Sequence, residues 1–302
     1  MHLFRAQYNH PSDTLSIRHS SGLLSNATIT LFNLLWVHTE IYNKKINVTW
    51  KNQIWDKPDG LCGNSYGCYF KTKDIEAEDY PDQILDPQNN FFMKRRGRVT
   101  GTTITAITHS DHSLLNFEEL TLFTDLYFSL TEEVKEREKY IIDKYKIDFD
   151  STIAILDRGT DKGKELPKLP CEMYVDPIFE NVEKYQDYNF LIQTDQLQEF
   201  EGISGMLKDN NCNHFNIEEM DMTTSNIAIH KIPMKERKQD NYELGLNYLA
   251  AISIISKCKY VFFDTSNASL WICLMRGNTD NTYQMLSSRR KSPSIFNNLI
   301  TS

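Results

Sequence analysis

The sequence predicts an α/β protein built from two Rossmann-like halves, and three observations lead to this prediction. The chain has 302 residues with 40% hydrophobic content, which is enough for two domains of ordinary size. A strand, helix and strand pattern opens the chain, and a longer alternation of strands and helices begins after residue 150. We therefore expect domains at 1–147 and 148–302 that face a central cleft.

A βαβ unit is predicted in the first half of the chain. It comprises a strand at 14–19, a turn at 20–26, a helix at 27–43 and a strand at 46–50. Within the helix, Leu31, Leu34 and Leu35 fall near one face, which is the spacing of an amphipathic helix. Residues 51–112 are rich in Asp, Asn, Pro and Gly, so we expect long loops over the cleft there, with strand candidates at 98–108.

Two helices are predicted to connect the halves, and a regular alternation follows them. The connecting helices lie at 116–130 and 131–146, and the second begins with Thr131 and acidic residues and ends with basic ones. The second half is predicted as strand 152–157, helix 171–185, strand 188–193, helix 196–209, strand 213–217, helix 242–257, strand 259–264 and helix 267–276. The apolar run 153–156 is typical of a buried strand in a parallel sheet.

The overall charge limits the class of partner. Lys and Arg total 33 against 41 Asp and Glu, giving a net charge of −8. This balance argues against bulk electrostatic binding to nucleic acid or to an anionic membrane. We also see no charged and apolar leader and no run approaching the roughly 18 apolar residues of a spanning helix. The sequence thus predicts a cytoplasmic protein without an integral membrane segment.

The six cysteines show no paired spacing of the kind that zinc sites use. Cys62 and Cys68 are the closest pair along the chain. We expect these two to be free thiols, with neither a metal site nor a disulfide framework in the protein. His109 and His112 flank Asp111 at a spacing that metal ligands also use, but a polar turn explains them, and we predict no metal there.

Three polar loops follow predicted strands of the second half. They are "DRGTDKGKE" at 157–165, "QTDQ" at 193–196 and "DTSNAS" at 264–269. The carboxyl ends of parallel strands form the ligand-binding edge of an open α/β sheet. In the last loop Thr265, Ser266 and Asn267 directly precede an apolar helix. These residues suit either an ordinary helix cap or an anion site that uses hydroxyl and backbone N–H groups.

The first of these loops carries the charges that a diphosphate needs. Arg158 could grip phosphate oxygens in a bidentate manner, and Lys162 could add a mobile positive charge. Asp161 could orient either cation, and Glu165 could accept a proton. Gly159 allows close approach of the backbone. The alternative is a solvated turn, which is what a charged loop after a strand commonly is.

The residues of these loops resemble a known family. The segment "RGTDKGKE" is similar to the Arg-Arg-x-Asp-Lys-x-x-x-Glu segment of core α-1,6-fucosyltransferases and nodulation-factor fucosyltransferases. The likeness continues in "NFLIQTDQLQEFEGI" and "AISIISKCKYVFFDTSNASLWICLMRG", so it covers about residues 150–280. It implies a GT-B fold and an inverting, metal-independent transfer of fucose from GDP-fucose to a glycan acceptor, with no further cofactor.

The resemblance also implies roles for individual residues. Arg158 matches the arginine that binds the donor diphosphate, and Asp161 and Lys162 match the acidic and basic members of that motif. Asp195 matches the first acidic residue of the family's Thr-Asp turn. Glu165 corresponds to the proposed catalytic base if one residue is missing before it. Ser266 and Asn267, with Thr265 beside them, occupy the polar turn that meets the phosphates.

Three positions depart from the family pattern. Gly159 replaces the second arginine, and Leu156 stands where a histidine precedes the motif. The aspartate that reads guanine in the family falls near Ala251. Glu243 or another carboxylate could read the guanine edge in its place. A different nucleotide sugar, or a nonenzymatic sugar- or nucleotide-binding module, therefore stays an alternative.

The acceptor side of the reaction needs a base and contacts to a sugar. A general base must lie within hydrogen-bond reach of the acceptor hydroxyl. His19, at the end of the first strand, is a candidate from the first half beside Glu165 and Asp161. Trp50 and Trp55 flank the end of the second strand and are candidate acceptor contacts, because aromatic rings stack on sugars.

Overall fold

A computed structural model of the protein describes residues 2–3, 5–18, 22–40, 45–51, 53–58, 60, 62, 64–73, 111–115, 117–159 and 168–285. Its strands are β1 (His2–Leu3), β2 (Ala6–Asn9), β3 (Thr14–Ile17), β4 (Asn47–Trp50), β5 (Phe70–Lys71), β6 (Ser129–Leu130), β7 (Thr152–Asp157), β8 (Asn189–Thr194), β9 (His214–Phe215), β10 (Tyr260–Asp264) and β11 (Thr282–Met285). Its α-helices are α1 (Leu23–Glu40), α2 (Ser65–Tyr69), α3 (Phe117–Tyr127), α4 (Glu132–Tyr145), α5 (Glu172–Asn181), α6 (Leu197–Asp209), α7 (Asn241–Lys257) and α8 (Asn267–Arg276).

The first sheet contains the predicted βαβ unit. Its strand order is β1–β2–β3–β4, and β3 runs parallel to β4 after the crossover through α1. The sheet is mixed because β1, β2 and β3 are antiparallel neighbours, which differs from a fully parallel Rossmann sheet. Strands β1 and β2 were not predicted, since each is short and polar residues such as Gln7 and Asn9 interrupt the apolar pattern of β2.

Helix α1 begins earlier than its composition suggests. The predicted turn at 20–26 is wrong from residue 23 onward, because the helix starts at Leu23. The hydroxyl of Thr28 donates to the carbonyl of Leu24 at 2.7 Å, and that of Thr30 donates to the carbonyl of Asn26 at 2.8 Å. Small polar side chains satisfied by the preceding turn can be buried in a helix.

The second sheet is parallel throughout, in the order β11–β10–β7–β8–β9. The chain begins this sheet at the central strand β7, builds outward through β8 and β9, and then returns to place β10 on the other side of β7. The direction of strand order reverses between β7 and β10, and ligands of such sheets bind at the carboxyl ends of the strands beside this point. The predicted α/β fold is confirmed, and β7, β8 and β10 match the predicted strands within one residue.

The larger of two hydrophobic clusters among the described residues runs through both halves of the chain. The indole Nε1 of Trp271 in α8 donates to the Thr28 hydroxyl of α1 at 2.9 Å, and the Trp271 ring lies 4.8 Å from that of Phe128. Helix α4 packs along α7, where the buried carboxylate of Glu138 accepts a hydrogen bond from Ser253 at 3.0 Å. This packing joins residues from both sides of 147/148, and the domain boundary expected there stays a prediction.

The expectation of free thiols is wrong for one cysteine pair. Cys62 and Cys68 form a disulfide, with their Cα atoms 5.2 Å apart. Helix α2 turns the chain back within six residues, and its N-cap Asn64 accepts a hydrogen bond from the Gly67 amide at 3.2 Å. This local turn brings together two thiols whose spacing along the sequence carries no such signal.

None of the helices in the described ranges is both long and apolar enough to cross a bilayer. The predicted cytoplasmic location stays a prediction. The strand candidates at 98–108 lie outside the described residues.

Candidate functional site

A cavity of about 180 Å³ opens at the carboxyl ends of the strands of the parallel sheet. The residues that follow β7 and β8 line it, together with Asn267 at the start of α8. The first half of the chain contributes the start of α1 and Trp55. The cavity therefore lies beside the point of strand-order reversal and is lined by both halves.

Arg158 lines this cavity, and neighbouring side chains fix the position of its guanidinium. Its Nη1 donates to the Tyr248 hydroxyl at 2.5 Å, its Nε lies 3.7 Å from Asp195 Oδ2, and its guanidinium carbon lies 5.7 Å from the centre of the Tyr248 ring. The side chain is 22% exposed. These contacts fix the orientation of the guanidinium before any ligand arrives, which lowers the entropic cost of binding an anion.

Asp195 acts on the loop that carries Arg158. One of its carboxylate oxygens, Oδ1, accepts a hydrogen bond from the Gly159 amide at 3.0 Å, while the other faces Arg158. A carboxylate directed at a diphosphate would repel it. The geometry therefore gives Asp195 a positioning role on the loop after β7, and its predicted contact with a donor stays a prediction.

A buried carboxylate joins the ends of β7 and β8. Asp157 is 3% exposed, and it accepts hydrogen bonds from the Tyr174 hydroxyl at 2.8 Å and from the Thr194 hydroxyl at 2.9 Å. Burial raises the pKa of Asp157 to about 6, although both hydrogen bonds act to lower it. Desolvation of the charged form is the larger effect here. Because both oxygens are already used, Asp157 fixes the cavity wall.

The start of α8 combines a cap with unpaired amides. The Ser266 hydroxyl accepts from the Ser269 amide at 3.2 Å, and the Ser269 hydroxyl accepts from the Ser266 amide at 2.8 Å. This capping box leaves the amides of Asn267 and Ala268 without a hydrogen bond to any described residue. Such amides, with the helix dipole, attract an anion. Asn267 lines the cavity.

Comparison with known proteins finds likeness in solved structures alone. No protein-family model matches the sequence, and no curated protein matches it. A NodZ α-1,6-fucosyltransferase soaked with GDP-fucose is 13% identical, with 85% of this chain and 90% of that chain covered and a TM-score of 0.49. The fucosyltransferase NodZ from Bradyrhizobium is 14% identical over the same shares, with a TM-score of 0.48. These structures are from the family that the sequence motifs resemble, but at this level the likeness carries no inference about activity.

The structure brings together some of the predicted site residues and separates others. Arg158, Asp195, Asn267 and Trp55 line the same cavity. Trp50 lies in the core, where its Nε1 donates to the Thr30 hydroxyl at 2.9 Å, so it does not reach the cavity. Asp161, Lys162, Glu165 and His19 lie outside the described residues.

Two of the polar residues predicted to meet phosphates have other partners. The Ser266 hydroxyl belongs to the capping box, so the interpretation as an ordinary helix cap accounts for it. The Thr265 hydroxyl donates to the Met285 carbonyl at 3.4 Å and accepts from Gln284 Nε2 at 3.3 Å. The groups at this turn that stay available to an anion are therefore backbone amides.

His112 of the predicted polar turn has a hydrogen-bond partner in α8. His112 is buried, and its Nε2 lies 3.1 Å from the Ser269 hydroxyl. Among described residues, no three His, Cys, Asp or Glu side chains form a group that could hold a metal ion. His109 lies outside the described residues.

The candidate for guanine recognition named from the sequence lies elsewhere. Glu243 pairs with Arg137 at 2.6 Å and is not among the residues lining the cavity. Sequence reasoning missed Tyr248, Asp221 and His230, which do line it. Tyr248 carries no signal beyond its place in an apolar helix, whereas Asp221 and His230 belong to the long segment after β9, at the ligand-binding edge of the sheet.

Proposed function

We propose that the protein is a glycosyltransferase that takes its sugar from a nucleotide diphosphate donor. One observation supports this: the guanidinium of Arg158 and the unpaired amide of Asn267 at the start of α8 belong to residues that line one cavity, beside the point where strand order reverses. A guanidinium and a helix N-terminus from two separate elements at one cavity would together suit a diphosphate.

The proposed chemistry follows from where charge develops. When the bond between the sugar and the diphosphate breaks, negative charge grows on the leaving phosphate and positive charge grows at the anomeric carbon. Arg158, held by Tyr248 and Asp195, would stabilise the leaving group together with the first turn of α8. Lys162 would add a second cation, so the reaction would need no metal.

The finer assignments extend the sequence resemblance. We propose GDP-fucose as the donor, a glycan as the acceptor and inversion at the anomeric carbon. The residues after 147 would hold the donor, and Trp55 with the start of α1 would face the acceptor. Glu165, Asp161 and His19 stay the candidates for the base that deprotonates the acceptor hydroxyl.

The first prediction concerns Arg158. Arg158→Ala should lower the rate of GDP-fucose hydrolysis or transfer by about 100- to 1000-fold, since it removes the charge that stabilises the leaving group. The measurement is release of GDP, with and without a glycan acceptor. Arg137→Ala removes an arginine that pairs with Glu243 outside the cavity, so it is the matched control and should keep its activity. Near-native turnover of the Arg158 variant would contradict the proposal.

A binding module without turnover is the second candidate, and the absence of the second arginine favours it. Gly159 holds that position, and a Cβ atom there would lie 2.6 Å from Gln196 Oε1. Thermal stabilisation by GDP-fucose without hydrolysis or transfer would support this candidate. Stabilisation by UDP-sugars and not by GDP-fucose would instead indicate a different donor.

A further inference from the structure

The cavity wall contains two buried acceptor atoms that no described residue satisfies. Asp221 is 6% exposed and Gln193 is 5% exposed, and both line the cavity. Asp221 Oδ2 and Gln193 Oε1 have no hydrogen-bond partner among the described residues. A buried polar atom without a partner is costly, so these two atoms indicate a ligand that donates hydrogen bonds to them.

The chemistry of these atoms selects the edge of the ligand. An ionised carboxylate can only accept hydrogen bonds, and the amide oxygen of Gln193 also accepts. Guanine presents two adjacent donors, N1–H and the N2 amino group, on its Watson–Crick edge. Uracil places a carbonyl on each side of its single N–H, and adenine and cytosine each place a ring nitrogen acceptor beside the amino group. The acceptor atoms of these three bases would repel the carboxylate of Asp221. This carboxylate therefore favours guanine over uracil, adenine and cytosine.

The walls around the two acceptors suit a flat ring. Met220, Ile229 and Leu244 supply apolar surface to the cavity. An apolar slot with a few polar atoms that fix orientation is the general form of a small-molecule site. A base in this slot would leave its diphosphate free to meet Arg158.

We propose that Asp221 and Gln193 form a guanine-recognition subsite, in which Asp221 accepts hydrogen bonds from N1–H and the N2 amino group and Gln193 supplies a further acceptor. This inference rests on the proposed nucleotide-sugar function and names the residues that would recognise the base of the donor. It also explains how this chain would recognise guanine with Ala251 at the position where the family that it resembles has the guanine-binding aspartate.

The test compares GDP with IDP, which lacks only the N2 amino group. By titration calorimetry, the wild-type protein should bind GDP about ten-fold or more tightly than IDP, since a hydrogen bond to a charged group is lost. Asp221→Asn should reduce GDP affinity by a similar factor and bring the GDP/IDP ratio close to one. Asp209→Asn, an exposed substitution of the same type, is the matched control and should leave the ratio unchanged.

Further measurements separate the possible failures. Thermal melting of Asp221→Asn without nucleotide should match or exceed the wild type, because a buried carboxylate without a partner is removed. A large loss of stability would overturn the proposal by showing that Asp221 is structural. A variant that binds GDP normally but GDP-fucose poorly would overturn it in favour of sugar contact.

The two proposals fail in different ways. If the wild-type protein binds GDP and IDP with equal affinity and Arg158→Ala abolishes the binding of both nucleotides, the base subsite is wrong and the donor proposal stands. If wild-type protein binds neither nucleotide, both proposals fall.

Discussion

At the scale of single residues, the Gln196 side chain leaves no room for a side chain at position 159. A Cβ atom on Gly159 would lie 2.6 Å from Gln196 Oε1 and 3.0 Å from Gln196 Cβ. Gln196 is itself held in place, since its Oε1 accepts from Lys168 at 2.6 Å and its Nε2 donates to Asn226 at 3.0 Å. The residue after Arg158 is therefore confined to glycine as long as Gln196 keeps this place.

We predict that Gly159→Ala lowers the free energy of unfolding by about 1–3 kcal/mol, because overpacking displaces the Gln196 side chain and its hydrogen bonds. Urea denaturation of the variant measures this cost. The same substitution in a Gln196→Ala background should cost clearly less, since the closest obstructing atom, Gln196 Oε1, is gone and only Gln196 Cβ at 3.0 Å stays. An equal cost in both backgrounds would show that Gln196 is not the obstacle.

The sequence predicted part of the site at this scale. Arg158, Asp195 and Asn267 each follow a strand of the parallel sheet, and parallel strands place their carboxyl ends at one edge. Asp221 could not be found in this way, because it lies in a long segment between β9 and α7 with no regular pattern. The burial of its carboxylate depends on tertiary packing that local sequence does not encode.

At the scale of elements, helix α7 sets the position of a cavity residue in the other half. Gly245 of α7 lies against Tyr69 of α2, and a Cβ atom on it would lie 2.5 Å from the Tyr69 hydroxyl oxygen and 2.7 Å from two ring carbons. The Tyr69 hydroxyl donates to the Trp55 carbonyl at 2.9 Å. The contact between α7 and α2 therefore supports the segment that carries Trp55 into the cavity.

Gly245→Ala is expected to destabilise the protein by about 1–3 kcal/mol, because the Tyr69 ring is rigid and must shift as a body. Gly205→Ala in α6 is the matched control, since a Cβ atom there meets nothing within 4 Å. That control should be neutral or stabilising, as alanine is favoured over glycine in helices. Equal effects of the two substitutions in urea denaturation would contradict the close contact.

The elements that the sequence predicted well are those with one dominant pattern. Strands β7, β8 and β10 are continuous apolar runs and were placed within one residue. Strand β11, with the sequence "TYQM", was missed because only one of its four residues is buried. It is recognisable as a strand through its parallel pairing with β10, which is a tertiary contact.

At the scale of the whole molecule, the buried carboxylate of Asp157 couples stability to pH. Its pKa is about 6 in the folded protein against 3.8 for an ordinary aspartate, mainly because of burial. The folded state therefore holds a proton that the unfolded state releases, so stability contributed by this group falls as pH rises from about 4 to above 6. At about 1.4 kcal/mol per pH unit, the full loss is about 3 kcal/mol.

Asp157→Asn should remove this dependence. On raising the pH from 4.5 to 7.5, the unfolding free energy of the variant should gain about 2 kcal/mol relative to the wild type. Urea denaturation at both pH values measures the difference, and the exposed Asp209→Asn substitution corrects for the general effect of losing a carboxylate. A difference between variant and wild type that stays constant with pH would refute the assignment.

The hydrogen bond between Trp271 of α8 and Thr28 of α1 restricts how far the two halves can separate to admit a ligand. If the two halves moved apart, the Trp271 indole would leave its contact with α1 and become exposed to water. Exposing each large apolar side chain in this way costs about 1.5–3 kcal/mol. Many such side chains share the interface, so the penalty accumulates quickly. We expect the halves to tumble as one rigid particle, with donor uptake leaving their mutual orientation unchanged.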